Sequence, residues 1–142
     1  MVFIFTDNRC FLCQKAKNWL DFHHIKYQEK NLSIFKLNES YIDLILSYEN
    51  VDFNSIISTR SKVFKNQKKN LFSMTIDQIK KIIVKNPNIL KKPIICDKKN
   101  VVIGYNKEDM RIFIPKKLRQ YIIANDIHFK YKDYASIIKQ YY

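Results

Sequence analysis

The stretch from Val2 to Asn31 constrains the fold more than any other part of the chain. Val2 to Thr6 reads VFIFT, a β-branched and aromatic run ending at Asp7 and Asn8, which predicts a buried strand followed by a turn. Cys10-Phe11-Leu12-Cys13 comes next, and Leu12, Ala16, Trp19, Leu20 and Phe22 or His23 then recur at the spacing of an amphipathic helix. Ile25 to Asn31 reads as a second strand. A strand, a helix and a strand in this order predict a parallel pair, because the crossover returns the chain to the same end of the sheet.

The middle of the chain is helical. Asn38 to Ser47 places Tyr41, Leu44, Ile45 and Tyr48 on one face, and Thr75 with Gln78 forms a capping-box pattern ahead of Ile76, Ile79, Ile82 and Ile83. Pro87 marks the end of that second helix. Phe53 to Asn70, between them, is basic and suits short helical turns. Pro93 to Asp97 and Val101 to Tyr105 flank the polar tip Lys98 to Asn100, a hairpin pattern. Asn106 is placed to cap a helix through Phe113 that Pro115 closes, and the aromatic, basic tail from Tyr121 holds a further helical stretch at Tyr134 to Tyr142. This order is that of an α/β protein with a thioredoxin-like sheet and a helical insertion between the second and third strands. At 142 residues the chain suits one domain. Its redox core covers residues 1–33 and 88–120, the insertion 34–87, and a C-terminal extension 121–142.

The chemistry centres on Cys10 and Cys13. At a strand-to-helix turn, unpaired amide N–H groups and the helix dipole favour an anion, so the Cys10 thiol would ionise more readily than a free one. Arg9 adds positive charge beside it. Cys13 returns one turn later to the same face, within reach of a disulfide. Structural zinc would need two further ligands, and Cys96, His23, His24 and His128 are the obvious candidates, without a second paired motif. An inert buried pair is the other alternative. Cys96, within Ile94-Ile95-Cys96, reads as a packed small hydrophobe. The histidines form no triad pattern. Lys92-Pro93 begins the third strand, where thioredoxin-like folds carry a cis-proline facing the CxxC turn, so the bond before Pro93 is expected to be cis.

Composition narrows the function. The chain has one glycine, which excludes the glycine-rich phosphate cradles of Walker and Rossmann nucleotide sites. Its formal charge of +13 points to a polyanionic partner, yet almost all the positive charge is lysine, with arginine only at Arg9, Arg60, Arg111 and Arg119. Base-specific reading favours the arginine fork, so the charge suits general attraction to phosphate. A signal-peptide pattern and an apolar span of membrane length are both missing, and three cysteines do not make a secreted disulfide framework. The expected location is cytoplasmic, with no membrane partner.

The CxxC pair, the run Ile56-Ile57-Ser58-Thr59-Arg60-Ser61-Lys62-Val63-Phe64, the segment from Lys92-Pro93-Ile94-Ile95 through Val102-Ile103-Gly104-Tyr105-Asn106, and Ile114-Pro115-Lys116-Lys117-Leu118-Arg119 together resemble the Spx family. The resemblance extends to about residue 120. Spx proteins are redox-sensing transcriptional regulators with a fold similar to arsenate reductases (ArsC). The resemblance implies binding to the C-terminal domain of the RNA polymerase alpha chain (its α subunit), contact with DNA only as part of the polymerase complex, and a Cys10–Cys13 disulfide as the switch. It places Arg60 near the CxxC turn as a redox-linked residue and implies no cofactor and no metal. Lys92 stands where an anion-contacting arginine is usual. Asp52 occupies a turn implicated in contact with the polymerase α subunit, where the family usually has glycine, and aspartate tolerates a left-handed backbone there. The resemblance also implies turnover by a Clp protease and an adaptor acting on the C-terminus. The enzymatic alternative is an arsenate reductase-like or general dithiol oxidoreductase with Cys10 as nucleophile.

Overall fold

The computed structural model describes residues 1–71, 73–125, 137 and 138. Four strands form one sheet in the order β2-β1-β3-β4: β1 (Val2–Thr6), β2 (Tyr27–Asn31), β3 (Ile94–Cys96) and β4 (Val101–Ile103). β1 and β2 are parallel, with Val2 opposite Tyr27 and Thr6 opposite Asn31. β3 runs antiparallel to β1, pairing Phe5 with Ile94, and β4 closes the hairpin antiparallel to β3.

The alternation along β1 divides the core. Val2 and Ile4 face one side, where they pack with Ala16, Trp19 and Leu20 of helix α1 (Phe11–Phe22) and with Met110, Phe113, Leu118 and Ile122. Phe5 faces the other, against Ile42 and Ile45 of α2 (Glu39–Leu46), Ile56 of α3 (Phe53–Ile56), Leu71 of α4 (Lys62–Leu71) and Ile83 of α5 (Ile76–Lys85). The sheet is thus the middle layer of three, and the insertion between β2 and β3 supplies one outer layer. No helix among the described residues is long and apolar enough to cross a membrane.

Local signals explain most boundaries. Asn38 caps α2, its side chain accepting from the Tyr41 N–H at 3.2 Å. At α5 the Thr75 hydroxyl accepts from the Gln78 N–H at 3.3 Å while the Gln78 side chain accepts from the Thr75 N–H at 2.9 Å. A Thr75→Ala variant is expected to lose about 1 kcal/mol of stability, measured by urea denaturation, because two helix-start donors lose their arrangement. The single glycine falls where backbone geometry asks for one: Gly104 has φ +80 at the exit of β4, and its N–H donates to the Pro93 carbonyl at 2.7 Å.

Several expectations need correction. The second strand starts at Tyr27; Ile25 lies outside it, buried, with its N–H bonded to the Leu20 carbonyl. On α1 the inward residue of the first turn is Cys13, with Leu12 43% exposed, because the N-cap at Cys10 starts the helix at Phe11 and sets its phase from there. The segment after Asn106 is a 3-10 turn at Asp109–Phe113, and the Asn106 side chain accepts from the Glu108 N–H at 2.8 Å. Pro115 does not only end that turn: it is the N-cap of an additional helix, α6 (Lys116–Ala124), which buries Leu118 and Ile122. The expected helix at Tyr134 to Tyr142 lies outside the described residues apart from Ile137 and Ile138, and these two pack on the α1 side of the core.

Candidate redox site

Cys10 is the N-cap of α1, with an extended backbone (φ −116, ψ 100), and its Sγ accepts from the Cys13 N–H at 3.1 Å. A sulfur at this position faces the unpaired N–H groups of the helix start, and the first turn carries no acidic residue to offset them. Cys10 and Cys13 are joined by a disulfide, with their Cα atoms 5.1 Å apart. Cys10 is half-buried and Cys13 buried, whereas Phe11, between them, is 73% exposed. Lys15 lies over the Phe11 ring at 4.9 Å. The turn is therefore open to solvent on one side and anchored in the core on the other.

Pro93 is buried and the Lys92–Pro93 peptide bond is cis. Continuing the β1–β3 register beyond Phe5 and Ile94 puts Pro93 beside Thr6 and Lys92 beside Asp7, at the end of β1 that leads into the cysteine turn. The side chains agree: Lys92 Nζ lies 2.9 Å from Asp7 Oδ2. Asp7 Oδ1 also accepts from the Asn8 N–H at 2.8 Å and from the Ser33 hydroxyl. The Ser33 hydrogen bond, with Lys92 adding to it, holds the Asp7 carboxyl below its ordinary range against the opposing effect of burial. Lys92, expected as an anion contact, thus has an anion within the chain. Nothing in the sequence singles out Asp7 or Ser33, because Asp7 and Lys92 are 85 residues apart and meet only through the β1–β3 pairing.

No hydrogen bond or ion pair among the described residues ties the remaining candidates to this cluster. Arg60 is exposed just before α4, and its guanidinium makes no ion pair or hydrogen bond among the described residues. Asp52 is exposed and caps α3, accepting from the Ser55 N–H at 2.8 Å. Its φ is −128, so the left-handed conformation that aspartate tolerates is not used at Asp52; Asn50 adopts it, with φ 63. The Ser55 hydrogen bonds lower the Asp52 pKa. Cys96 is a free, fully buried thiol, which burial pushes up in pKa. Among the described residues no group of three or more His, Cys, Asp or Glu is arranged to hold a metal ion; His128 lies outside them.

His23, at the far end of α1, is buried with its ring 3.9 Å from that of Trp19. Burial first, then the charges of Lys107, Arg111 and His24, push its pKa down to about 4. The folded state therefore keeps His23 neutral at a pH where the unfolded chain protonates it. Its contribution to stability is complete above the ordinary value of 6.5 and is lost as pH falls from there toward about 4. Urea midpoints read from Trp19 fluorescence are expected to drop between about pH 7 and about pH 5, and His23→Phe to flatten that drop. An equal drop in the variant would assign it to other groups.

The pattern that defines the ArsC family matches residues 5–113. Over 121 residues the chain is 39% identical to the global transcriptional regulator Spx of Listeria innocua, covering 85% of this chain and 92% of that one. It is 37% identical over the same length to the Spx of Bacillus subtilis, with the same coverage. Among solved structures, an ArsC-family-related protein from Bacteroides fragilis superposes with a TM-score of 0.71 at 19% identity, covering 79% of this chain and 96% of that one, a likeness of fold. With the matched pattern running through the cysteine turn and the Pro93 hairpin, and with relatives aligned over nearly their whole length, the chain belongs to the ArsC family and, within it, to the Spx group of transcriptional regulators.

Proposed function

We propose that this chain is a thiol-redox-responsive regulator, switched by the Cys10–Cys13 pair, whose partner is the C-terminal domain of the RNA polymerase α subunit. The observation that carries this reading is the position of the pair at the N-terminus of α1, in a chain aligned along 85% of its length with Spx regulators. Oxidation takes two electrons and two protons from the dithiol and passes them to a peroxide or a small disulfide. A thiolate favoured by the helix start is thereby replaced with a neutral bridge. Arg60, without a partner among the described residues, supplies a cation free to respond to that change of charge. The lysine-rich surface supports contact with DNA beside the polymerase, since phosphate attraction is independent of sequence. Such a role belongs in the cytoplasm.

Membership of the ArsC family favours a second reading, in which Cys10 attacks arsenate. That chemistry needs several free cations to hold the oxyanion; Arg60 supplies one, but Lys92 is engaged by Asp7. Two assays separate the readings: capture of the isolated C-terminal domain of the polymerase α subunit by the reduced and oxidised chain, and arsenate turnover with a thiol reductant. Capture without turnover is the expected result. Turnover that is lost in Cys10→Ser, without capture, would reverse the assignment.

A further inference from the structure

Asp7 stands at the exit of β1, three residues before Cys10. Three donors converge on its carboxylate from three segments of the chain: Lys92 Nζ from the residue before Pro93, the Asn8 N–H from the cysteine turn itself, and the Ser33 hydroxyl from the loop after β2. Asn31 braces the cluster. Its side-chain amide donates to Asn8 Oδ1 at 2.8 Å, and its own Oδ1 accepts from the Ser33 N–H at 2.9 Å. An ammonium, a hydroxyl and a backbone amide meeting near a helix start are the donors that a free tetrahedral oxyanion would use. Here the chain's own carboxylate receives them.

We propose that Asp7 is a specificity-determining residue: its carboxylate is a tethered anion that fills an oxyanion slot beside the CxxC turn and closes that slot to free oxyanions. Tethering gives it the advantage. A carboxylate fixed to the chain competes at an effective concentration of roughly millimolar or above, which a dissolved ion must exceed to displace it. The Lys92 side chain is only 12% exposed, so an incoming ion has little open surface from which to approach the ammonium. The tethered carboxylate is charged at neutral pH as an ordinary aspartate is, and its hydrogen bonds to Ser33 and Lys92 hold its pKa lower still. This inference goes beyond the regulatory reading and does not depend on it, since it concerns an anion slot and not a polymerase contact.

The test is calorimetric titration of sulfate and of arsenate into the reduced full-length chain at constant ionic strength. Asp7→Ser removes the carboxylate, and Asp7→Asn keeps the acceptor for Ser33 and Asn8 while removing the charge, which covers the case in which the serine variant is poorly folded. Both are expected to bind either oxyanion at least about tenfold more tightly than the unmodified chain, a difference of about 1.4 kcal/mol. Adding Lys92→Met to Asp7→Ser is expected to abolish the gain. Equal affinities in the unmodified chain and both Asp7 variants would overturn the proposal, as would a gain that survives the loss of Lys92. Thiol trapping of Cys10 and Cys13 in the same samples reports on the switch separately, so either idea can fail alone.

Discussion

Cys13→Ala is expected to retain binding to the C-terminal domain of the polymerase α subunit and to lose the whole response of transcription to oxidant. The variant keeps Cys10 and its favoured position at the helix start, but no second sulfur remains within reach. Cys96 cannot substitute, because it is fully buried in β3 with a thiol pushed up in pKa. The ratio of transcript made with and without oxidant is therefore expected to fall to about one, while binding under reducing conditions stays within about threefold of the unmodified chain. Truncating one buried sulfur costs a typical point-mutant penalty of about 1 kcal/mol, which a stable domain of this size tolerates. Gel mobility after thiol trapping verifies that no intramolecular disulfide forms. A full oxidant response in this variant would mean that the switch lies elsewhere.

The largest effect on stability is expected at Phe5. Its side chain is 1% exposed, meets the Tyr41 ring edge-on at 5.8 Å, and sits where β1 packs against the helical insertion. Removing the ring deletes its transfer energy and leaves a cavity that a two-sided sheet cannot easily collapse into. Phe5→Ala is therefore expected to cost about 3 to 5 kcal/mol in urea denaturation. Ile34→Ala supplies the contrast: Ile34 is 86% exposed, and its truncation is expected to change stability by no more than about 0.5 kcal/mol. Phe5 also pairs with Ile94, next to Pro93, so its loss loosens the junction that brings Lys92 to Asp7. A penalty below about 1 kcal/mol at Phe5 would contradict the three-layer account of the core.

Local signals make much of this architecture legible in the sequence. VFIFT reads only as a buried strand, Thr75 with Gln78 announces α5, and a polar tip between two apolar runs announces the β3–β4 hairpin. Where sequence and structure part, the missing information is either phase or distance. Leu12 and Cys13 are adjacent on a helix, about 100° apart, and both fit a spacing with Ala16 and Leu20; the N-cap at Cys10 decides for Cys13. Pro115 reads as a stop, although proline also suits a helix start, and the spacing of Leu118 and Ile122 is the available clue to α6. Aspartate at position 52 tolerates a left-handed backbone, yet the residue that adopts it is Asn50, two residues earlier, because a sequence alone does not say which residue of a turn goes left-handed. The Asp7–Lys92 pair has no local signature at all, since it depends on a strand register that joins the two ends of the fold.

The central claim, that the state of one dithiol sets the regulatory output, is tested most directly in purified transcription. RNA polymerase, a thiol-responsive template and this chain are equilibrated in buffers of stepped redox poise, and transcript yield and the Cys10–Cys13 disulfide fraction are measured in the same tubes. The expected result is a single shared midpoint, with transcript yield tracking the disulfide fraction along the whole series. Transcript yield that stays flat while the disulfide fraction passes from zero to complete would contradict the account.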